Sequence, residues 1–529
     1  MITNKRYENI CQKLEFTAIW ILRVIGSLIF IVLTGFAMCY TQYLPDYASG
    51  EIPVTIHDSV WWNLIALAAA CIVFWGLFKL EDRIPDRIQM WIRRLMLAAL
   101  AVWIGVAGFI WITVLDRTPV GDQAFIYAGA SYFTEGNYWF LEKGAYCEMF
   151  PYQLGLIALV ELLFRIVGTY NYFACQLLNV CFAVGISILG YLLLRRMSKR
   201  FVVSVIYCIL FFLCLPLIFY TGWVYGDIPS IFFILLTAYC LLRYAEKGRL
   251  GWMVGMVTAV LFSILVRNNS RIMLIALCLT AGVYALKKKN RILLLGLGLS
   301  VVLPWLTYEG IYKMYEIRSG SEEFGGVPAI SYVAMGMQEN NGKYGWSTQY
   351  VKEVYWEAGN DTELASEASW QDVKDRLEVF LDNPSYACVF YGKKVLSQWN
   401  QPLYQSLFFS AQYTEGQMPE PDSIDARVHG EYSHYILYIC DRLQFVLYFG
   451  LLCYYLFAVK KESNILQHML AATIVGGFFF SIIWEAKARY ILPYYIFMYP
   501  LAIMGLLQAV ERIEKLVVWI RARLSIGNA

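Results

Sequence analysis

Mostly apolar runs of roughly 15 to 24 residues recur along this chain, each near the length that crosses the hydrocarbon core of a bilayer. They fall at 16–40, 59–78, 95–115, 151–168, 172–194, 201–221, 228–244, 251–267, 272–286, 291–312, 436–458, 465–485 and 490–510. With 59% of its 529 residues hydrophobic and only 16% charged, such a chain is expected to fold as an all-α polytopic membrane protein. Disordered, collagen-like and secreted disulfide-scaffold classes are excluded. Most of the thirteen cysteines lie inside apolar runs, where a thiol packs as a small hydrophobe. The formal charge of +3 gives no reason to expect nucleic acid as a partner. The run beginning near Phe16 reads as a retained span rather than a signal peptide.

Basic residues orient the spans. Lys5, Arg6 and Lys13 precede the first run, and Lys79, Arg83, Arg87, Arg93 and Arg94 crowd the second connection, which predicts a cytoplasmic N-terminus. Segment 151–168 then decides the rest. If it crossed, the basic clusters Arg195–Arg200, Arg243–Arg249, Lys287–Arg291, Lys460/Lys461 and Arg512–Arg523 would all face outward. If it lies in the outer half of the membrane without crossing, all of them are cytoplasmic. The segment opens with Pro151 and carries Glu161 and Arg165 at i,i+4 spacing, so the non-crossing reading is the expected one. Twelve spans and two cytoplasmic termini follow, in a multi-pass cell-membrane protein. The domains are then a two-helix extension (1–94), a membrane module (95–312), an external subdomain (313–435), and C-terminal helices with a cytoplasmic amphipathic tail (436–529).

Soluble-enzyme motifs are missing: no phosphate-cradling Gly-rich loop, CxxC, HExxH or Asp-x-Asp occurs, and His57, His429, His434 and His468 are scattered. Chemistry is instead expected in Thr118–Tyr152. There Asp122 follows the end of a span, a Gly136-Asn137 turn precedes Tyr138-Trp139-Phe140, and Pro151-Tyr152 opens the non-crossing helix. A carboxylate at that boundary is expected to be partly desolvated, which raises its pKa and suits it to take a proton from a hydroxyl. A helix-capping role is the alternative reading.

Asp122, Gly136 fourteen residues later and the Pro151-Tyr152 helix start resemble the first external loop of the GT-C superfamily of membrane glycosyltransferases. That superfamily includes the dolichyl-phosphate-mannose protein mannosyltransferases, the lipid A aminoarabinose transferases and the oligosaccharyltransferase catalytic subunit. The likeness continues through Asp227 in Tyr225-Gly226-Asp227-Ile228-Pro229 and through Glu485-Ala486-Lys487-Ala488-Arg489-Tyr490, covering roughly 95–312 and 465–510. Position 123 is Gln, where many relatives carry a second carboxylate, and two spans precede the module.

What the resemblance implies is transfer of a sugar from a polyprenyl-phosphate carrier to a glycan, lipid or protein acceptor of the cell envelope, on the extracytoplasmic face. Asp122 is the implied general base and Asp227 a second catalytic residue, to bind a metal or orient the acceptor, with capping of the following helix as the alternative reading. The developing phosphate charge needs preorganised cations, for which Arg267, Arg271, Lys487 and Arg489 are the candidates. Glu148 matches the acidic residue that relatives place before the non-crossing helix, and Tyr152 is a candidate for stacking on a sugar, as are Tyr138, Trp139, Tyr344 and Trp346. The cofactor is left unknown, with a divalent metal open and no metal ligand assigned. A transporter or flippase of a lipid-linked glycan is the competing reading; it should place ionisable groups near the midplane.

Overall fold

The computed structural model describes residues 2–45, 51–320, 324–412, 418–461 and 463–526. The chain starts with α1 (Ile2–Cys39) and a hairpin of β1 (Tyr40–Tyr43) and β2 (Val54–His57), followed by α2 (Val60–Glu81) and α3 (Asp86–Leu115). The hairpin occupies part of the predicted connection 41–58, of which 46–50 lie outside the described residues. Next come α4 (Asp122–Thr134), α5 (Tyr146–Met149), α6 (Leu154–Val167), α7 (Tyr172–Met197), α8 (Phe201–Phe212), α9 (Leu215–Phe219) and α10 (Asp227–Lys247). The membrane module closes with α11 (Leu250–Val266), α12 (Arg271–Lys288) and α13 (Arg291–Ser319).

The insert carries α14 (Ala329–Gly336), a short hairpin of β3 (Glu339–Asn340) and β4 (Lys343–Tyr344), α15 (Tyr350–Glu357), α16 (Thr362–Asp382), α17 (Pro384–Trp399), α18 (Ser406–Ser410) and α19 (Ile424–His429). Three long elements finish the chain: α20 (Ser433–Cys453), α21 (Met469–Ile483) and α22 (Leu492–Ile526).

Among the described residues ten helices are long and apolar enough to cross a bilayer, twelve if each of two bent pairs counts as one, so the chain is an all-α polytopic membrane protein. The run predicted at 201–221 is one such pair, bent by 53° between α8 and α9. Pro216 sits there, and a proline ring cannot donate an N–H and clashes with the preceding turn. The predicted amphipathic tail is no separate element. Helical periodicity carries α22 through Glu511 without a break, while residues 527–529 lie outside the described ones.

At 14 residues, α6 is about 21 Å long, short of a ~30 Å hydrocarbon core, and it bends 100° from the segment before it. The turns on either side of it are tied to the surrounding elements. On one side Gln153 donates to the Tyr225 hydroxyl at 2.7 Å; on the other Tyr172 donates to Gln123, and Tyr127 to the Tyr170 carbonyl at 3.2 Å. Its Glu161 is held by Arg165 at 2.7 Å, the expected i,i+4 pair, and also by Arg318 at 2.6 Å from the end of α13.

The bundle consequently has two chemically distinct ends. At one, Lys287 pairs with Glu15, Arg196 with Glu246 at 2.9 Å, Arg200 with Glu81 at 2.9 Å and Lys79 with Glu514 at 2.6 Å, which also gathers the early part of α1 and the later part of α22 there. The other end brings together the start of α4, the α9–α10 and α11–α12 connections, the start of α22 and the insert.

Candidate active site

At this second end lies a cavity of about 760 Å³, lined by Asp122, Glu51, Glu485, Lys343, Lys352, Lys487 and Arg489 among a wall of aromatic rings. Its floor is the segment between α21 and α22. Arg489 is buried there, its side chain 3% exposed, with its guanidinium carbon 4.8 Å from the ring centre of Tyr225, 5.3 Å from Phe409, 5.5 Å from Tyr490 and 6.0 Å from Trp223. Four π faces around one cation replace part of its lost hydration. Its backbone N–H donates to Gln405 Oε1 at 3.0 Å, which fixes the short helical turn 488–491.

Arg489 donates from Nη2 to Asp122 Oδ2 at 2.9 Å. The Asp122 side chain opens α4 and is 41% exposed to the cavity. Its acidity departs from the sequence expectation. Burial on its own would raise the carboxyl, but the charges of Arg489, Lys487 and Lys352 outweigh it and hold the group at about 2. Asp122 is therefore an ion-paired carboxylate.

Arg489 still has donors to spare: Nε and Nη1 are buried and have no hydrogen-bond partner among the described residues. Buried orphan N–H groups on a cation are costly, and a ligand oxygen is what ordinarily satisfies them. Lys487 reaches Glu51 at 3.5 Å, so the N-terminal hairpin region also contributes to the wall. Glu485 accepts from the Tyr490 hydroxyl.

Asp227 and Arg267 meet beside the cavity rather than in its lining. They pair at 3.1 Å with side chains only 2% and 12% exposed, and Arg267 also donates to the Tyr225 carbonyl at 3.2 Å. Gly226, at φ +84, makes the approach possible, because a Cβ there would drive into the Val266 carbonyl. The adjoining gap measures about 20 Å³, too small for a sugar, and Asp227 Oδ2 has no partner among the described residues. The pair thus props Tyr225, whose ring backs Arg489.

Of the remaining predicted residues, Tyr152 lines the cavity and shares a hydrogen bond of 3.0 Å with the Tyr332 hydroxyl. Glu148 is turned away: it is buried, accepting from the Gly144 N–H at 3.0 Å and from the Tyr355 hydroxyl at 2.6 Å, and so ties the 139–149 segment to the insert. Arg271 is exposed and outside the lining. Tyr138 packs on Arg318, Tyr344 on Lys393, and Trp346 is buried with its N–H on Ser397. None of these three faces the cavity.

The insert closes and shapes the site. Lys343 and Lys352 project from it into the lining. Its Gly345 carbonyl accepts from the Ala486 N–H at 2.6 Å, pairing the hairpin with the floor segment; Gly345 takes φ +69, and any Cβ would strike the Gly336 carbonyl. Lys394 completes the join. Its Nζ donates to the carbonyls of Gly336 at 2.5 Å, Ile482 at 2.9 Å and Trp484 at 2.7 Å, capping the C-termini of α14 and α21 together. Lys343, Lys352 and Lys394 carry no sequence signal that sets them apart from the other lysines of the insert. Trp223 could have been found, since it immediately precedes the Tyr225–Asp227 motif.

Among the described residues no three His, Cys, Asp or Glu side chains converge as metal ligands do. No protein-family model matches the chain, and no curated protein matches it. Fold and cavity together define a helical membrane protein with a polar chamber at one end of its bundle.

Proposed function

We propose that this protein is a GT-C-type glycosyltransferase that moves a sugar from a polyprenyl-phosphate carrier to an acceptor on the extracytoplasmic face. The observation that carries the proposal is Arg489: a buried cation with two unpartnered guanidinium nitrogens, next to a carboxylate, in a chamber at the end of a membrane bundle. The clustering of basic residues at the opposite end, with the early part of α1 and the later part of α22, supports an extracytoplasmic chamber under the positive-inside rule. Nucleotide-activated sugars are not available there, whereas a lipid carrier delivers its sugar phosphate at the membrane surface.

In this reading the donor phosphate takes the free donors of Arg489 and competes with Asp122 for the guanidinium. Losing that partner raises the Asp122 pKa from its resting value of about 2, and the carboxylate becomes a stronger base as the donor binds. The acceptor hydroxyl attacks the anomeric carbon and gives its proton to Asp122. The carbon–oxygen bond to phosphate breaks, and polyprenyl phosphate leaves against Arg489 and Lys487. A single displacement inverts the anomeric configuration.

The deciding experiment incubates purified full-length protein with a panel of polyprenyl-phosphate sugars and an envelope extract as acceptor, following the donors by mass spectrometry. Consumption of one donor with release of polyprenyl phosphate is expected. A panel left wholly intact would overturn the reading.

A further inference from the structure

Resting on the transferase reading, we infer that the acceptor is an acidic glycan, a sugar chain bearing carboxylate or phosphate groups, recognised by Lys343 and Lys352. Within the cavity the other two cations already have carboxylates: Asp122 for Arg489 at 2.9 Å and Glu51 for Lys487 at 3.5 Å. Lys343 and Lys352 make no direct ion pair among the described residues, although both are half-buried in the lining. The lining carries four cations, Lys343, Lys352, Lys487 and Arg489, against three carboxylates, Asp122, Glu51 and Glu485, and two half-buried ammoniums with no carboxylate in direct contact favour an anionic ligand.

Position assigns that anion to the acceptor rather than the donor. Lys352 Nζ lies 5.9 Å from the ring centre of Phe125, on the turn of α4 that carries Asp122, and its charge is one of those holding Asp122 acidic. It therefore flanks the carboxylate that would receive the acceptor proton. The aromatic recess around Arg489, with its own orphan donors, serves the donor phosphate. Both lysines belong to the insert: Lys343 sits on β4 and Lys352 on α15.

The test titrates detergent-solubilised full-length protein with three soluble probes, methyl glucoside, its 6-phosphate and methyl glucuronoside, and separately with a short-chain polyprenyl phosphate. Tighter binding of both acidic sugars than of the neutral one, by tenfold or more, is expected. The Lys343→Gln/Lys352→Gln double variant should erase that preference while still binding polyprenyl phosphate. The tighter of the two acidic arms identifies the anion as phosphate or carboxylate. Equal binding of the three sugars by the wild type would overturn the inference. So would a double variant that loses polyprenyl phosphate, since its lysines would then serve the donor. Acidic preference in a wild type that ignores polyprenyl phosphate would instead remove the transferase reading and leave an acidic-glycan site standing.

Discussion

Arg489 and Asp122, 367 residues apart in sequence, are joined by a 2.9 Å hydrogen bond at the floor of the cavity. The pair joins a cation with unpartnered nitrogens to a carboxylate held well below its ordinary acidity range, and the proposed mechanism requires the donor phosphate to draw that cation away.

Replacing the carboxylate tests its role. Asp122→Asn keeps the shape and a hydrogen-bond acceptor for Arg489 but cannot take a proton. Transfer should fall by roughly 10²–10⁴-fold, the usual worth of general-base assistance, with membrane insertion and thermal stability near wild type. Retention of a tenth or more of the wild-type rate would remove Asp122 from the base role.

The guanidinium is tested by Arg489→Lys, which retains charge and loses the fork of donors. Apparent affinity for a short-chain polyprenyl phosphate should drop at least tenfold, since the two unpartnered guanidinium nitrogens disappear. An unchanged titration curve would separate Arg489 from the donor site.

The Asp227–Arg267 pair calls for a double-mutant cycle. Arg267→Ala alone strands a buried carboxylate and should cost about 3–5 kcal/mol in thermal unfolding, whereas Arg267→Ala combined with Asp227→Asn should cost less than the single change. Strict additivity would mean that the two side chains act independently.

Lys394 carries a pH signature. Burial pushes its ammonium from the usual lysine range down to about 7, with the Glu485 charge pulling the other way. Between about 7 and the ordinary lysine value the unfolded chain holds a proton that the folded chain has released, so this residue's contribution makes stability rise with pH across that window. Subtracting the Tm of Lys394→Met from that of the wild type at pH 6.5 and 9 should show a difference that grows with pH. The neutral amine also keeps two N–H donors for three carbonyls, so donor binding by the wild type should weaken modestly over the same range while the variant, lacking the clamp throughout, stays weak and flat. A flat difference in Tm would place the titration elsewhere.

Much of the architecture is readable without coordinates because hydrocarbon thickness leaves little freedom: runs near 20 residues become helices, and the proline and charges of 151–168 mark it as the exception. Asp122, Lys487 and Arg489, singled out through the family resemblance, line one cavity. The acidity of Asp122 was not legible, since the cation that sets it comes from the far end of the sequence. Glu148 carries an acid in a suggestive position, yet its acceptor capacity is spent on Gly144 and Tyr355. The contributions of Glu51, Lys343, Lys352 and Lys394 depend on how the two extramembrane segments fold back over the bundle, and neither segment has a periodicity that reports such tertiary placement.

The shared pairing of Gly345 with Ala486, together with the Lys394 clamp, limits how the molecule can be re-engineered. Grafting the insert from another protein would remove the partner of the single backbone bridge between Trp346 and Ala486 and leave the last loop without that support. Chimeras should therefore exchange the insert and the α21–α22 junction as one cassette, a unit whose two halves lie about 140 residues apart along the chain but meet at that bridge.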